Sequence, residues 1–305
     1  MIRDNREFID VLKKHKELVE INEQVHWDME MGAIVRRASE IGAPAPLFLN
    51  VKDYPGSRVL GGPVANFKRI ALAMGMDADT HPREVIREFT KRSNNPIKPV
   101  LVKDAPCQEN VIKGDDVDLS MFPAPMVHGG DGGRYIGTWH FVLADDPDEG
   151  WSNWGMYRQM LHNERHMGGL ILPASDMGKI KVKYESQGKT MPFATVIAPD
   201  PLSAIASTVS PPPGISEVDL AGGLMGKAIE LVQCKTVDLR VPATAEIILE
   251  GEILKDVFVD EGPFGEYTGY RSSPRMPRAV YKVNCITFRN NPIFAMTNMG
   301  IPIDE

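Results

Sequence analysis

Two glutamates on either side of a short turn sequence are the first candidates for chemistry. Glu261 and Glu266 enclose Gly-Pro-Phe-Gly in the segment EGPFGEYTGY. A turn from Gly262 to Gly265 would bring the two carboxyl groups together at one end of a hairpin, because glycine adopts backbone conformations that other residues resist. Crowding two carboxylates raises the pKa of one of them, which keeps a proton available near neutral pH, as an acid catalyst requires. A hairpin with two solvated acids is the alternative, and this segment alone favours it.

A polar pair in an otherwise apolar and aromatic segment is the second candidate. Asn153 and Arg158 lie in SNWGMYRQM, residues 152–160, and in a regular strand they would face opposite sides. Either the strand is bulged or bent at Gly155, or the two residues serve different neighbours. A buried arginine needs an anionic partner, which could be a protein carboxylate, a phosphate or a substrate carboxylate. A structural salt bridge explains the arginine equally well.

A proline-rich loop before a helix is the third candidate. In ASTVSPPPGISEVD, residues 206–219, three consecutive prolines make a rigid loop that presents carbonyl and hydroxyl oxygens, and Glu217 follows just before a predicted helix. Carbonyl oxygens and a carboxylate suit a hard cation. A rigid linker that ends in a helix-capping acid is the alternative, and the segment alone favours it.

Several other kinds of site are not supported by the motifs. The glycine-rich HGGDGGRYIGT, residues 128–138, matches neither GxGxxG before a helix nor GxxxxGK[ST], and a strand-like segment follows it. The histidines form no HExxH pair, so a zinc hydrolase is unsupported, and no GxSxG marks an acyl-transfer serine. Cys107, Cys234 and Cys285 are odd in number and far apart in the sequence, which indicates neither a CxxC pair nor a disulfide framework.

The composition is that of an ordinary globular protein from a reducing compartment. The 305 residues are 43% hydrophobic and 25% charged, which is enough for two domains or one large one. The net charge of −7 argues against nucleic acid and anionic membranes as partners, because both would repel the chain. No apolar run approaches the roughly 18 residues of a membrane span, and the N-terminus is charged from Arg3 onward. We therefore expect a cytoplasmic protein that is not exported.

The predicted elements divide the chain near residue 104. Helix and strand patterns alternate before it, with helices beginning near Asp4, Asp28, Phe67 and Thr80 and strands at about 46–51 and 58–62. The run at 94–106 is rich in proline and asparagine and interrupts any periodic element. After it the apolar runs are short and β-rich, and only about 200–208 and 218–230 look helical. The sequence thus predicts an α/β domain at 1–104 and a β-barrel or sandwich at 105–305.

Six motifs follow one another along the chain. They are PLFLNVKDYPGSRVLGG followed by ALAMGM, VDLSMFPAP with GGDGGRYIGT, NWGMYRQM, PPPGISEVDLAGGLMG, VPATAEIILEGEI and EGPFGEYTGY. In this order they resemble the UbiD family of reversible decarboxylases, which use prenylated FMN. The resemblance covers essentially the whole chain, and the ordered set is far more specific than any one motif. It implies an α+β fold in which a small N-terminal α/β domain is followed by a split β-barrel flavin-binding domain.

The resemblance also implies roles for single residues. Glu261, Arg158 and Glu266 correspond to the family's catalytic Glu-Arg-Glu/Asp trio. Glu266 would protonate the substrate carbon, while Arg158 and Glu261 would orient the substrate carboxylate and hold the cofactor. The residues implied in binding prenylated FMN are Asn153, Gly155, Met156, Tyr157, Arg158, Ser175, Asp176 and Glu217. Mn²⁺ or Mg²⁺ would bind Asn153 and Glu217, and K⁺ would use Glu217 with oxygens near Trp154, Ala206, Ser207 and Val209.

The third ligand of the divalent metal departs from the family pattern. Many relatives supply a histidine shortly after the strand that corresponds to GGLILPAS, and the register places Asp176 there. An aspartate still binds Mn²⁺ or Mg²⁺ but makes softer metals less suitable. His166, ten residues earlier, is the alternative ligand, and Asp176 is preferred.

The implied activity is the non-oxidative, reversible decarboxylation of an aromatic or α,β-unsaturated carboxylic acid, with release of CO2. The resemblance further implies a homo-oligomer and a flavin prenyltransferase that supplies the cofactor. Family members usually continue beyond the final segment NMGIPIDE into a C-terminal domain, with a helix that swaps between subunits and a lysine near the cofactor phosphate. A non-catalytic flavin-binding or assembly subunit completed by a partner chain is therefore the alternative, and an ordinary FMN oxidoreductase is a third interpretation.

Overall fold

The chain forms both helices and strands. A computed structural model describes residues 2–212, 215–271, 273–298 and 300. The helices are α1 (Asn5–Lys14), α2 (Glu30–Glu40), α3 (Phe67–Ala73), α4 (Pro82–Ser93), α5 (Asp176–Ser186), α6 (Pro201–Ala206) and α7 (Glu217–Met225). The early strands are β1 (Leu18–Ile21), β2 (Ala45–Phe48), β3 (Arg58–Gly61), β4 (Val100–Leu101), β5 (Asn110–Lys113), β6 (Tyr135–Gly137), β7 (His140–Asp145) and β8 (Ser152–Gly155). The later strands are β9 (Gln159–Leu161), β10 (His166–Gly169), β11 (Met191–Ile197), β12 (Glu230–Gln233), β13 (Arg240–Pro242), β14 (Ile247–Glu261), β15 (Met276–Phe288) and β16 (Ile293–Met296).

A four-stranded sheet in the order β1-β2-β3-β16 organises the N-terminal part of the chain. Its helices begin where the sequence places capping residues. The Asp4 side chain accepts a hydrogen bond from the Glu7 N–H at the start of α1, and Pro82 occupies the first turn of α4. α2 begins at Glu30, slightly later than predicted. The fourth strand, β16, is the last described strand of the chain and pairs in parallel with β3. This pairing joins the end of the described chain to the N-terminal sheet.

The large sheet follows the hydrogen-bonded order β6-β9-β10-β15-β14-β11-β7-β8, with β5 added to β15. Among the described residues, no pairing of β6 with β8 closes this path into a barrel. The chain nevertheless passes from β8 to β9 through residues 156–158 alone, a step that spans at most roughly 14 Å. Because β8 and β9 lie near opposite ends of the order, the sheet must curl until its two edges approach each other. Residues 156–158, which include Arg158, are held between those edges.

Helix α5 corrects the prediction that only two segments after residue 109 are helical. Residues 176–186 read DMGKIKVKYES, and the alternation of apolar and charged residues from Ile180 onward is typical of a strand. A cap decides the matter locally, because the Ser175 hydroxyl accepts a hydrogen bond from the Gly178 N–H. The two predicted helices are present as α6 and α7, although both are shorter than expected.

A buried ion cluster ties α1 to the beginning of β14. Glu246 is fully buried and accepts hydrogen bonds from Arg6 at 2.7 and 2.8 Å and from the Ile293 N–H at 3.0 Å. Arg289 lies 3.4 Å from the same carboxylate and 2.9 Å from Asp4. A buried carboxylate is stable only when it is paired in this way, so the cluster fixes the first helix against the large sheet.

Two further sequence expectations concern membranes and cysteines. In the part of the chain that the structure describes, no helix combines the length and the apolar character needed to cross a bilayer. Cys107, Cys234 and Cys285 are all buried with free thiols. Burial raises the pKa of Cys107 and of Cys285 to about 12, which keeps both thiols protonated.

Candidate active site

Arg158 lies between the two glutamates of EGPFGE. Its Nε and Nη2 atoms donate hydrogen bonds of 3.0 and 2.9 Å to the Glu261 carboxylate, and Nη1 donates to Oε1 of Glu266. The Glu261 side chain is fully buried, that of Arg158 is 6% exposed, and that of Glu266 is 18% exposed. One cation therefore holds a buried and a partly accessible carboxylate at the same place. The structure thus brings together the three residues that the resemblance implies in catalysis.

The two glutamates meet through Arg158 and not through the tight hairpin turn predicted from Gly262 and Gly265. Glu261 is the last residue of β14 and is paired with Met276, the first residue of β15. The whole of residues 262–275 forms the connection between these strands, and residues 262–266 fold back over Arg158. The Glu266 N–H donates to the Tyr270 carbonyl at 3.0 Å, which closes a smaller turn within this connection.

Tyr135 is a member of this site that sequence reasoning missed. Its hydroxyl donates a 2.6 Å hydrogen bond to Oε1 of Glu261, and its ring centroid lies 4.1 Å from that of Phe264. Burial, followed by the negative charge of Glu261, raises the pKa of Tyr135 and keeps the phenol protonated as a donor. The sequence signal was only a tyrosine in a buried strand-like run, and the contact joins β6 to β14 over 126 positions.

A second cluster forms where β8 meets the N-terminus of α7. Glu217 accepts hydrogen bonds from the Asn153 side-chain amide at 3.1 Å and from the Trp154 N–H at 3.0 Å. The Tyr157 hydroxyl donates to Oδ1 of Asn153 at 3.1 Å. Burial raises the pKa of Glu217 to about 7, an effect that the Trp154 N–H partly offsets. Ser216 caps α7 and places Glu217 as the first residue of the helix.

Asp176 lies beside this second cluster, whereas His166 lies elsewhere. Asp176 begins α5, forms an ion pair of 2.8 Å with Lys179, and contributes through its charge to the raised pKa of Glu217. His166 is on β10, and its Nδ1 faces Oδ1 of Asn163 at 2.9 Å. The structure therefore brings Asp176, and not His166, towards Glu217.

The remaining residues implied in cofactor and cation binding surround the same cluster. A Cβ atom on Gly155 would meet the Tyr157 ring at 2.5 Å, so only glycine lets this ring fold back towards Asn153. The Tyr157 hydroxyl also accepts a 3.3 Å hydrogen bond from the Met177 N–H, which connects it to the α5 helix that Ser175 caps. Met156 is half-buried in the link between β8 and β9.

Three of the residues implied in K⁺ binding, Ala206, Ser207 and Val209, lie at or just after the C-terminal end of α6. Ala206 is its last residue and its carbonyl accepts the Val209 N–H at 3.0 Å, while the Ser207 hydroxyl donates to the Ala204 carbonyl at 2.8 Å. α6 packs against α7, which Glu217 begins. The following proline triplet lies only partly within the described residues, since Pro213 and Gly214 fall outside them.

The donor set of the second cluster fits a hard cation. Glu217 is a buried carboxylate whose hydrogen-bond partners are neutral donors, and an amide oxygen and a second carboxylate, that of Asp176, lie nearby. Oxygen ligands of these kinds suit Mn²⁺ and Mg²⁺. Within the described ranges no three His, Cys, Asp or Glu side chains are grouped so that they could hold a metal ion. A metal here would therefore depend on the Asn153 amide in addition to carboxylates.

Comparisons with known proteins place this chain in one class. Residues 98–302 match the Rift-related domain of 3-octaprenyl-4-hydroxybenzoate carboxy-lyase, and residues 9–89 match the N-terminal domain of the same enzyme. The matched class is thus a carboxy-lyase. The chain belongs to the UbiD family, and the resemblance found in the six motifs is confirmed.

Curated relatives and solved structures agree with this assignment. The chain is 37% identical to pyrrole-2-carboxylic acid decarboxylase of Pseudomonas aeruginosa, over 99% of this chain and 63% of the relative. It is 34% identical to ferulic acid decarboxylase 1 of Saccharomyces cerevisiae, over 98% of this chain and 63% of the relative. The chain therefore spans less than two thirds of the length of these relatives.

The structural match supports the predicted α+β class. An evolved dimeric form of the UbiD-class enzyme HmfF from Pelotomaculum thermopropionicum, in complex with prFMN, superposes with a TM-score of 0.90 at 32% identity. This match covers 98% of the present chain and 68% of HmfF. Vanillic acid decarboxylase of Sedimentibacter hydroxybenzoicus in its closed form superposes with a TM-score of 0.94 at 32% identity, over 99% of this chain and 65% of that one.

Proposed function

We propose that this chain forms the cofactor-binding and catalytic part of a non-oxidative, reversible decarboxylase of an aromatic or α,β-unsaturated carboxylic acid. The observation that carries the proposal is Arg158 held between a buried and a partly exposed carboxylate, Glu261 and Glu266. Membership of the UbiD family supports it, as do relatives named for the decarboxylation of pyrrole-2-carboxylic and ferulic acids. The HmfF structures in complex with prFMN and FMN support prenylated FMN as the cofactor.

The proposed architecture is a small α/β domain at 1–104 followed by a split β-barrel at 105–305. The curled sheet, whose edges are linked by residues 156–158, supports the barrel. The two matched family domains, at 9–89 and 98–302, support a boundary close to residue 104.

Glu266 is the proposed proton donor. Of the two carboxylates that the described residues place on Arg158, that of Glu266 is the partly accessible one, so it can reach a substrate and recover its proton from solvent. The proton would pass from the Glu266 carboxyl group to the substrate carbon that has lost CO2, and Glu266 would leave the step as a carboxylate stabilised by the Arg158 guanidinium. Prenylated FMN, when bound, supplies an electron sink for the departure of CO2.

Arg158 and Glu261 have the complementary role. Glu261 is fully buried and is held by Tyr135 and by two nitrogens of Arg158, so it fixes the guanidinium plane. The guanidinium can then attract and orient the carboxylate of an incoming acid. Met156, Phe264 and Tyr267 lie within two residues of Arg158 or Glu266 in the sequence, and their apolar side chains suit a flat apolar substrate.

The second cluster would hold the cofactor phosphate through a metal. Asn153, Glu217 and Asp176 are the proposed ligands of Mn²⁺ or Mg²⁺, and a divalent cation among such oxygens can also bind phosphate. Gly155, Met156, Tyr157, Arg158 and Ser175 are the other proposed cofactor contacts. Glu217, with oxygens near Trp154, Ala206, Ser207 and Val209, is the proposed K⁺ site, since carbonyl and carboxylate oxygens suit a hard cation.

The proposal extends to partners and location. A flavin prenyltransferase would supply the cofactor. A homo-oligomer is proposed, in keeping with the dimeric form described for HmfF. The three free, buried cysteines suit the reducing cytoplasm.

The test is CO2 release by protein co-expressed with a flavin prenyltransferase and supplied with a panel of aromatic and α,β-unsaturated acids. Glu266→Gln should keep the flavin absorbance and lose turnover by about 10²- to 10⁴-fold, the usual contribution of a general acid. The matched control is Glu252→Gln, because Glu252 lies on β14 but its side chain contacts Thr190 at 3.2 Å and not Arg158. Normal turnover by Glu266→Gln would show that another group donates the proton.

A further inference from the structure

The glycine-rich segment HGGDGG packs against the turn that carries Glu266. The Gly132 N–H donates to the Pro263 carbonyl at 2.7 Å, and the Gly265 N–H donates to Oδ1 of Asp131 at 2.9 Å. Two hydrogen bonds therefore join the segment at 128–133 to the segment at 262–266, more than 120 positions apart.

Glycine is required at the closest points of this contact. A Cβ atom on Gly132 would lie 1.9 Å from the Gly262 carbonyl oxygen, and one on Gly265 would lie 2.6 Å from Nδ1 of His128. Both distances are far below any real contact, so side chains there would force the two segments apart. Gly132 of the segment that fits no nucleotide loop is thus explained by close backbone packing against the turn.

Asp131 is the polar centre of the contact. Its side chain is fully buried, and its two oxygens accept hydrogen bonds from different segments. Oδ1 accepts the Gly265 N–H, while Oδ2 accepts the His128 N–H at 2.9 Å and lies 2.9 Å from His128 Nδ1. A buried carboxylate in charge-assisted hydrogen bonds to two backbone N–H groups is held in one place, and so is the backbone that it binds.

We propose that Asp131 is a positioning residue, whose carboxylate fixes the Gly265 peptide so that the next residue, Glu266, is presented to Arg158. The inference rests on the proposed function of Glu266, but it makes a separate structural claim about the turn. Phe264 lies in the same turn, and its ring packs against Tyr135 and His128 with centroid distances of 4.1 and 5.7 Å. Asp131 therefore fixes the residue that lies between Phe264, which apolar packing holds, and Glu266.

The experiment compares Asp131→Ala, Asp131→Asn and Glu250→Gln in the full chain loaded with cofactor. Glu250 is the matched control because it is also fully buried and accepts two backbone N–H groups of one loop, those of Lys235 and Thr236, away from the site. Amide hydrogen exchange of the peptide covering 262–270 reports the turn, and kcat and KM report the reaction.

Asp131→Ala should speed exchange at Gly265 by about tenfold or more, as the loss of a hydrogen bond to a charged group implies. It should lower kcat by about 10²-fold with little change in KM, because the acid is misplaced while substrate binding remains. Asp131→Asn keeps an oxygen for the Gly265 N–H and should recover part of both effects. Glu250→Gln should change neither.

Two results would overturn the inference. One is exchange at Gly265 that is no faster in the Asp131 variants than in Glu250→Gln. The other is a loss of kcat in Asp131→Ala that Glu250→Gln reproduces. Absence of turnover by the wild-type holoenzyme would instead refute the proposed function, and the exchange comparison would still decide the role of Asp131. If Asp131→Ala does not fold, the comparison of Asp131→Asn with Glu250→Gln decides it.

Discussion

Removing the charge of Arg158 should cost more stability than removing both charges of its buried ion pair. Arg158→Met leaves the Glu261 carboxylate fully buried, with the Tyr135 hydroxyl as the remaining side-chain donor among the residues that the structure describes. Breaking a buried pair in this way destabilises a protein by about 3–5 kcal/mol, because the remaining charge is uncompensated. Glu266 adds little to this loss, since its partly exposed carboxylate can turn to water.

The double variant Arg158→Met with Glu261→Gln removes that uncompensated charge. The glutamine keeps the volume of the glutamate and an oxygen for the Tyr135 hydroxyl. About 2 kcal/mol of the loss should therefore return, which is a typical coupling energy for residues in direct contact. Urea unfolding of the wild type, both single variants and the double variant gives the four free energies of a double-mutant cycle. They can be compared when the dependence of the free energy of unfolding on urea concentration is the same in all four proteins. Additivity within about 0.5 kcal/mol would refute the pairing of these two residues.

Two further variants test the Tyr135 hydroxyl and the buried imidazole of His140. Tyr135→Phe removes the donor 2.6 Å from Glu261 and should lower the free energy of unfolding by about 2 kcal/mol, and an unchanged urea midpoint would contradict this. Burial lowers the pKa of His140 from 6.5 to about 4. As the pH falls, the imidazole is therefore protonated in the unfolded chain before it is protonated in the folded chain. The folded state loses about 3 kcal/mol of stability as the pH falls from 6.5 towards 4. In His140→Gln this loss of stability at low pH should be about 3 kcal/mol smaller. Replacement of the exposed His162 should leave the loss unchanged. An equal loss in both variants would argue against a buried neutral His140.

Local signals explain why much of the fold could be predicted. The helix starts predicted near Asp4, Phe67 and Thr80 lie within two residues of the observed starts of α1, α3 and α4. Each of these assignments depends on residues a few positions apart. Helix α5 was missed because its alternating residues resemble a strand. The hydrogen bond that caps it, from the Gly178 N–H to the Ser175 hydroxyl, depends on one side-chain conformation. The periodicity of the residues is thus a weak guide where one capping hydrogen bond determines the start of a helix.

The predictable part of the site is the part that the family motifs mark, and not the part that is close in sequence. The three residues that the resemblance implies in catalysis came from the ordered motifs, and the structure brings them together at Arg158. The sequence does not point to Tyr135 or Asp131, although both lie in the motif GGDGGRYIGT. Their contacts with Glu261 and Gly265 cross 126 and 134 positions, and no local spacing encodes a hydrogen bond of that range.

Deuterium exchange into the decarboxylated product tests the role of Glu266 most directly, because it isolates proton transfer from the loss of CO2. The holoenzyme is incubated in D2O with the product of whichever acid it decarboxylates, and deuterium at the carbon that carried the carboxylate is followed by NMR. Wild type and Glu252→Gln should exchange this hydrogen at equal rates, and Glu266→Gln should exchange it about 10²-fold more slowly while retaining its flavin. Exchange by Glu266→Gln at the wild-type rate would contradict the assignment of Glu266 as the proton donor.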